Sequence, residues 1–379
     1  MAATHGEIVA RMRAGMAGLG LNQQDLAERI GMNPSSFSRA LAGQRHFKSV
    51  EVALVAEALG LTVGELLDEV GESPQEVMVA ARTQPGVEAE YAAALHRVEE
   101  FVEINQLLNE LGYYNRAEKI PIEPELGIPD YRQGERLAEK LRDKIGLHDG
   151  DLPLKLDDFA SFVEAKLGID VSFEPLSGGF DGMSISCDSF KLAAINSRIS
   201  GVRQRFTLAH ELGHIFAGDS QSLHVDENIY GVRSPEERRA NAFAAAFLMP
   251  SQCLKDATET ATIDEDLIAD LLGRYRVSLE ALTYRLHNIG AINAAERDRI
   301  ARMSSSTIAL RSGRAADLQA RNDRRFPELL LMRAIHAYTE ARISIRPIAK
   351  IAQVPPEALL EDLSPHKFAP PENADAVDA

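Results

Sequence analysis

The stretch RFTLAHELGH, residues 205–214, places two histidines four positions apart, with a glutamate directly after the first. Its apolar residues recur at helical spacing, which predicts an amphipathic helix. His210 and His214 then point the same way and can bind one metal ion. Glu211 lies about a quarter-turn round the helix, where it can act as a base without being a ligand. The alternative is a pair of core histidines satisfied by hydrogen bonds.

A second helix is predicted over residues 235–250, which begin and end with proline. Glu237 would supply the third ligand and leave the fourth zinc position open for water and substrate. Asn241 lies one turn further on, where it can hydrogen-bond a ligand histidine and fix its tautomer. Glu236 is the alternative ligand, although it is rotated about 100° away from the Asn241 face.

These residues carry a resemblance to a known family. The motifs are RFTLAHELGH, then Glu237-x-x-Ala240-Asn241-x-Phe243-Ala244, then Leu248-Met249-Pro250. Together they resemble the ImmA/IrrE metallopeptidases, over roughly residues 131–290. The resemblance implies Zn²⁺ bound by His210, His214 and Glu237, with Glu211 as the general base. It also implies cleavage of a helix-turn-helix repressor, which releases stress, phage or mobile-element genes.

Two features of the metal chemistry stay open at the level of sequence. Mn²⁺ is an alternative to Zn²⁺, because both accept nitrogen and carboxylate ligands. The group that stabilises the oxyanion is also unassigned. His224 and Tyr230 are candidates, since both lie in the predicted loop between the two metal helices and both side chains can donate a hydrogen bond.

The N-terminal region carries a second signature. Residues 21–31 predict an amphipathic helix closing on a glycine, and residues 33–43 predict a second short helix after a tight turn. Residues 8–16 predict a preceding helix, and residues 50–67 predict two more, the second after Gly60-Leu61-Thr62. Over residues 5–70 this resembles the Xre or lambda-repressor-like DNA-binding domain. Phe37 and Leu41 are predicted core residues. The exposed side chains of the presumed recognition helix are Ser35, Ser36, Ser38 and Arg39.

Charge supports a DNA-binding face at this place. The chain has a formal net charge of −16, which disfavours non-specific adhesion to DNA, yet residues 29–48 contain no carboxylate. That window contains Arg29, Arg39, Arg45 and Lys48, and Gln23 and Gln44 are possible phosphate donors near its ends, so the predicted DNA-binding face is basic. We expect operator DNA to be bound by a homodimer. The alternative is that this small helical domain docks a protein.

Composition fits a multidomain chain. Its 379 residues are 45% hydrophobic, enough for two or three cores, and Cys187 and Cys253 are the only cysteines. A disulfide framework is therefore not expected. The sequence has no apolar run of transmembrane length and no apolar signal core, so we expect a cytoplasmic protein without membrane contact.

The predicted fold is mainly α with a small β-sheet in the peptidase domain, an α+β arrangement. We expect an all-α helix-turn-helix domain at residues 1–70, a linker and long helix at 71–130, the peptidase domain at 131–291, and a helical C-terminal region with a disordered tail at 292–379. The strands are expected to form a meander. The long helix either packs on the peptidase domain or forms a dimer. The arginine-rich run from 311 to 325 is expected to be a solvated face, nucleic-acid contact being the alternative.

Two functions from different classes remain. The first is a DNA-binding regulator with a zinc-dependent endopeptidase domain. The second is a DNA-binding repressor or antitoxin whose metal domain is a sensor or structural module. A base such as Glu211 favours the first, because a structural zinc site has no use for one. The fused DNA-binding domain favours the second.

Overall fold

The computed structural model describes part of the chain in detail. The described residues are 8–9, 11–13, 16, 21–59, 88–117, 120–122, 130–176, 181–187, 190–219, 224–226, 234–259, 261–319 and 323–360. The predicted helix after Gly60, the linker at 71–87, Tyr230 and the predicted tail from Phe368 lie outside these residues. The chain divides into two compact units, Met1–Glu76 and Val77–Ala379, and each is described by itself.

The first unit is all-α where it is described. Its helices are α1 (Gln23–Arg29), α2 (Pro34–Leu41) and α3 (Ser49–Leu59). Asn33 caps α2, because its side chain accepts hydrogen bonds from the backbone amides of Ser35 and Ser36. Phe37 and Leu41 are 0% and 4% exposed, which confirms them as core residues.

The second unit combines many helices with one small sheet, which confirms the predicted fold class. Its described helices are α4 (Glu88–Glu110), α5 (Tyr131–Lys144), α6 (Leu156–Leu167), α7 (Gly201–Ala217), α8 (Pro235–Leu248), α9 (Ser251–Glu259), α10 (Glu265–Tyr275), α11 (Leu279–Asn288), α12 (Ala294–Ala301), α13 (Ser305–Arg311), α14 (Glu328–Thr339), α15 (Arg346–Ala352) and α16 (Pro356–Leu360), with a 3₁₀ turn at Ala315–Leu318. Its described strands are β1 (Asp170–Glu174), β2 (Gly182–Cys187), β3 (Phe190–Asn196) and β4 (His224–Asp226).

The order of the strands differs from the prediction. The sheet runs β1-β3-β2-β4, with β1 parallel to β3 and the other pairs antiparallel. The predicted meander is therefore wrong. Strands β2 and β3 form a hairpin, and β1 pairs with the far edge of β3 rather than with β2. His224, predicted to lie in a loop, is the first residue of β4 and pairs with Ser184.

Helices cover both faces of the sheet, since alternate residues of each strand enter different cores. Ala193 and Ile195 of β3 join the core that contains α5 to α8. Leu192 and Ala194 join the core that contains α4, α14 and α15. Phe101 of α4 is fully buried there, so the long helix packs on the sheet. The regions that flank the predicted peptidase domain thus share one of its cores.

The basic run near residue 311 is engaged with the protein itself. Arg311 pairs with Glu265, Arg314 donates to the carbonyl of Ala269, and Arg325 pairs with Glu164. These contacts favour a structural and solvated role over nucleic-acid contact. Among the helices that the structure describes, none has the length and apolar character needed to cross a membrane.

Candidate metal centre and nucleic-acid interface

The metal centre is built by the two helices α7 and α8. His210, Glu211 and His214 lie within α7 and are all 0% exposed. Helix α7 ends at Gly218, whose left-handed φ of 81° suits glycine. Helix α8 begins after Ser234, whose side chain accepts the Glu237 amide hydrogen, so Glu237 stands in its first turn.

The three predicted ligands converge on one point. His210 Nε2 lies 3.0 Å from His214 Nε2 and 3.2 Å from Glu237 Oε2. His214 Nε2 lies 3.3 Å from Glu237 Oε1. Two atoms bonded to one tetrahedral zinc ion at about 2.0 to 2.1 Å would lie about 3.3 Å apart, so the spacing fits a bound cation. Among the described residues this is the group of such side chains close enough to hold a metal. Glu236 lies outside it.

Glu211 has the environment of a base beside a cation. Its carboxylate is fully buried, and neither oxygen accepts a hydrogen bond from the described residues. Such burial is costly unless a positive charge or a water molecule compensates. A Cβ on Gly182 would lie 3.0 Å from Glu211 Oε1 and 2.7 Å from Thr207 Cγ2, so a side chain at position 182 would crowd the carboxylate.

The electrostatics around His214 favour a positive charge. Burial lowers the pKa of His214, but hydrogen bonds to Asp219 and Glu237 outweigh it and raise the pKa to about 10. A divalent cation bonded to Nε2 would also supply positive charge at this point. The buried carboxylate of Glu211, which accepts no hydrogen bond from the described residues, further favours a positive charge at this point. The residues therefore fit a divalent metal ion.

Asp219 is the residue that holds the outer nitrogen of His214. Its Oδ2 lies 3.0 Å from His214 Nδ1, which directs Nε2 toward the other ligands. This kind of contact was predicted for Asn241, whose Nδ2 is buried with no hydrogen-bond partner among the described residues. Asp219 follows the glycine that ends α7, and this position just past the helix carrying the ligands was the available signal.

Asp219 is itself held by Arg239 of α8, through an ion pair between its other oxygen and Arg239 Nη2. Burial raises the pKa of Asp219, but His214 and Arg239 outweigh it and lower the pKa below its usual value. Asp219 is therefore held as a carboxylate between two donors. Arg239 was not singled out from the sequence.

The candidates for the oxyanion group stay predictions. His224 begins the short strand β4, which adds to the sheet beside Gly182. Its side chain and the whole of Tyr230 lie outside what the structure describes. Strand β4 brings the His224 backbone next to the strand that contacts Glu211.

The predicted DNA-contacting side chains mostly lie on the surface. Ser35, Ser38 and Arg39 of α2 are exposed, and Ser36 is half-buried. Arg39 Nε donates to the Ser35 carbonyl at 3.3 Å within its own helix. Gln23 and Lys48 are also exposed.

Arg45 differs from the other predicted contacts because it is part of the fold. Its guanidinium pairs with Glu51 of α3 at 2.9 Å and donates from Nε to the Ser36 carbonyl at 3.0 Å. The Arg45 hydrogen bond lowers the pKa of Glu51. Arg45 therefore ties α2 to α3. DNA contact by Arg45 stays a prediction, and in the folded unit its charge is paired with Glu51, which lies just beyond the stretch without carboxylates.

The fold and the site define a chain with an N-terminal helix-turn-helix unit and an α+β unit in which two histidines and one glutamate could hold a metal ion. Residues 7–70 match the family described as helix-turn-helix domain, and residues 164–287 match the family described as IrrE N-terminal-like domain. Both predicted resemblances are thus confirmed.

Two curated relatives match part of the chain. The chain is 33% identical over 154 residues to the radiation response metalloprotease IrrE of Deinococcus radiodurans, which is 39% of this chain and 44% of the relative. It is 29% identical over 154 residues to the protein of the same name from Deinococcus deserti, which is 39% of this chain and 52% of the relative. The match thus spans about half the length of these relatives.

Proposed function

We propose that the chain is a DNA-binding transcriptional regulator whose second unit is a zinc-dependent endopeptidase. The observation that carries the proposal is the convergence of His210, His214 and Glu237 next to Glu211, whose buried carboxylate accepts no hydrogen bond from the described part of the chain. Zn²⁺ suits two imidazoles and one carboxylate, and Mn²⁺ is the second choice of metal. The names of the two IrrE relatives, which describe radiation-response metalloproteases, support a role in a stress response.

The residues of the chain divide the chemistry of peptide hydrolysis between them. A divalent cation held by His210, His214 and Glu237 would supply Lewis-acid polarisation of the scissile carbonyl and would lower the pKa of a water molecule. Glu211 accepts a proton from the water whose oxygen attacks the carbonyl carbon. It then returns the proton to the amide nitrogen as the C–N bond breaks. Because Glu211 is buried, its carboxylate meets few competing waters.

The substrate we propose is a repressor-type protein with a helix-turn-helix fold. The N-terminal unit would bind operator DNA as a dimer, with α2 in the major groove and half-site centres about one helical turn apart. Ser35, Ser38 and Arg39 are the exposed side chains of α2 that would face the bases or phosphates. The chain's own linker near residues 71–86 is an alternative site of cleavage.

The second candidate is a DNA-binding repressor or antitoxin in which the metal centre senses or stabilises. The observation that favours it is the helix-turn-helix family match, which accounts for residues 7–70 of the same chain. In this case regulation needs the ligands but not the base. Glu211 is therefore the residue that separates the two candidates.

Metal content tests the ligand set. Purified wild-type protein should hold one divalent ion per chain, and His214→Ala or Glu237→Gln should weaken binding by orders of magnitude. Glu236→Gln is the matched control, because Glu236 is next to Glu237 but outside the cluster. Full occupancy in His214→Ala would remove the proposed site.

Glu211→Gln tests the peptidase. It is nearly isosteric, so metal content, folding and operator binding should stay at the wild-type level. Cleavage of a co-expressed helix-turn-helix partner, or of the linker, should be lost. If wild type and Glu211→Gln regulate a target promoter equally and neither cleaves a partner, the peptidase is rejected and the metal-dependent regulator remains.

A further inference from the structure

We propose that Asp219 and Arg239 are positioning residues that couple the two metal-binding helices into one preformed site. This inference rests on the proposed metal centre. It assigns the two side chains a role in setting the geometry and affinity of that centre, without contact to the metal or to the substrate.

The contacts connect His214 to α8 on both sides of its ring, through Glu237 and through Asp219 with Arg239. His214 Nδ1 lies 3.0 Å from Asp219 Oδ2, and Asp219 Oδ1 forms an ion pair with Arg239 Nη2. Arg239 stands two residues after Glu237 in α8, and Glu237 Oε1 lies 3.3 Å from His214 Nε2. The His214 ring is therefore held on one side by a ligand of α8 and on the other by a charged anchor of α8.

Burial makes these contacts stronger than a surface ion pair. The side chains of Asp219 and Arg239 are 16% and 8% exposed, and His214 is fully buried. Charge-assisted hydrogen bonds in such a setting are screened little by solvent. Losing one member would leave the other charge buried and incompletely paired, which the site can relieve only by moving a ligand.

Arg239 is a fixed anchor because its backbone is packed against a third helix. Gly134 of α5 approaches so closely that a Cβ there would lie 2.1 Å from the Arg239 carbonyl oxygen and 2.9 Å from the Phe243 amide nitrogen. The backbones of α5 and α8 are therefore in close contact at Gly134. Because Arg239 contacts Asp219 and Asp219 contacts His214, the position of α8 influences the orientation of the His214 ring.

Substitution can separate the two properties of Asp219, its hydrogen-bond acceptor for His214 and its negative charge. Asn at position 219 keeps an acceptor for His214 Nδ1–H but removes the charge, and Ala removes both. Arg239→Met keeps much of the side-chain volume while releasing Asp219 from α8. Arg238→Met is the matched control, because Arg238 is the exposed neighbour on the same helix.

The experiment measures Zn²⁺ affinity of the full chain by competition with a chelating indicator, together with the visible absorption spectrum of the Co²⁺-loaded protein. We expect Asp219→Ala to lose about 10- to 100-fold in affinity and to shift the Co²⁺ bands. Asp219→Asn should fall between Ala and wild type in both readouts, and Arg239→Met should also bind more weakly. Arg238→Met should match wild type.

The controls keep the failure of this proposal distinct from failure of the metal centre. His214→Ala should weaken binding by orders of magnitude, and if it keeps the wild-type affinity, the centre itself is wrong. If His214→Ala loses the metal but Asp219→Ala or Arg239→Met keeps wild-type affinity and spectrum, the positioning role is overturned. Should Asp219→Ala not fold, Asp219→Asn and Arg239→Met decide the matter by the same two measurements.

Discussion

Replacing Asp170 with asparagine should change how the stability of the second unit depends on pH. Asp170 begins β1 and is fully buried. Its Oδ1 accepts a hydrogen bond from the Leu330 amide at 2.9 Å, and its Oδ2 has no hydrogen-bond partner among the described residues. Burial is the main cause that raises the pKa of Asp170 to about 7, and the nearby charge of Glu164 adds to it.

The direction and size follow from linkage. An acid whose pKa is higher in the folded protein is protonated more readily there, so stability falls as pH rises from the ordinary pKa of 3.8 to about 7. Above that range the penalty stays constant. At about 1.4 kcal/mol per pH unit, the interval from pH 5 to pH 7 accounts for about 3 kcal/mol. Asparagine keeps the acceptor for Leu330 and carries no such penalty.

Tyrosine fluorescence provides an assay for this unit alone. The chain has no tryptophan, and its eight tyrosines all lie beyond residue 90. Urea unfolding of wild type and Asp170→Asn should be followed at pH 5 and pH 8. The stability of the variant relative to wild type should rise by about 3 kcal/mol between the two pH values. Asp158→Asn, which removes an exposed carboxylate, is the control and should leave this difference near zero. A pH-independent difference for Asp170→Asn would refute the idea that this carboxyl is forced to titrate near neutral pH.

Three further outcomes can be checked directly. Gly134→Ala should destabilise the second unit by at least about 1 to 3 kcal/mol in the same urea assay, because its Cβ would meet the Arg239 carbonyl at 2.1 Å. A wild-type midpoint would contradict that packing. Asn33→Ala should cost the first unit about 1 kcal/mol, measured by the thermal loss of helical circular dichroism, because the cap of α2 is lost. Arg39→Ala should weaken operator binding by about 1 to 3 kcal/mol in a salt-titrated gel-shift assay if it contacts a base, and an unchanged affinity and salt slope would exclude it.

Local spacing was sufficient to predict the parts of the site that lie on single helices. The repeat of four between His210 and His214 predicted their shared face, and the proline and serine before Glu237 are typical of a helix start. Residues 205–216 could be assigned to a helix for the same reason. The spacing of residues along the sequence does not reveal which distant segments pair. The parallel match of β1 with β3, and the addition of β4, depend on contacts that no short window encodes.

Polar partners that lie far apart in sequence escaped prediction for a related reason. Asp219 contacts His214 from beyond the end of α7. Arg45 pairs with Glu51, which lies outside the stretch 29–48 that contains no carboxylate. A count of local charge treats every arginine as available. Pairing in the folded chain then decides which arginines are available, and Arg39 is exposed where Arg45 is tied to α3.

Strand β1 shows why alternation alone can misjudge a face. Its apolar residues alternate with Asp170, Ser172 and Glu174, a pattern typical of a strand with one solvent-exposed face. All three polar residues are buried, because α4 and α14 cover that face. Glu174 pairs with Arg97 of α4 at 3.0 Å, and Asp170 accepts the Leu330 amide in the first turn of α14. Buried carboxylates of this kind are tolerated only with such donors, so removing α4 or α14 would leave a carboxylate of β1 without its partner in the core.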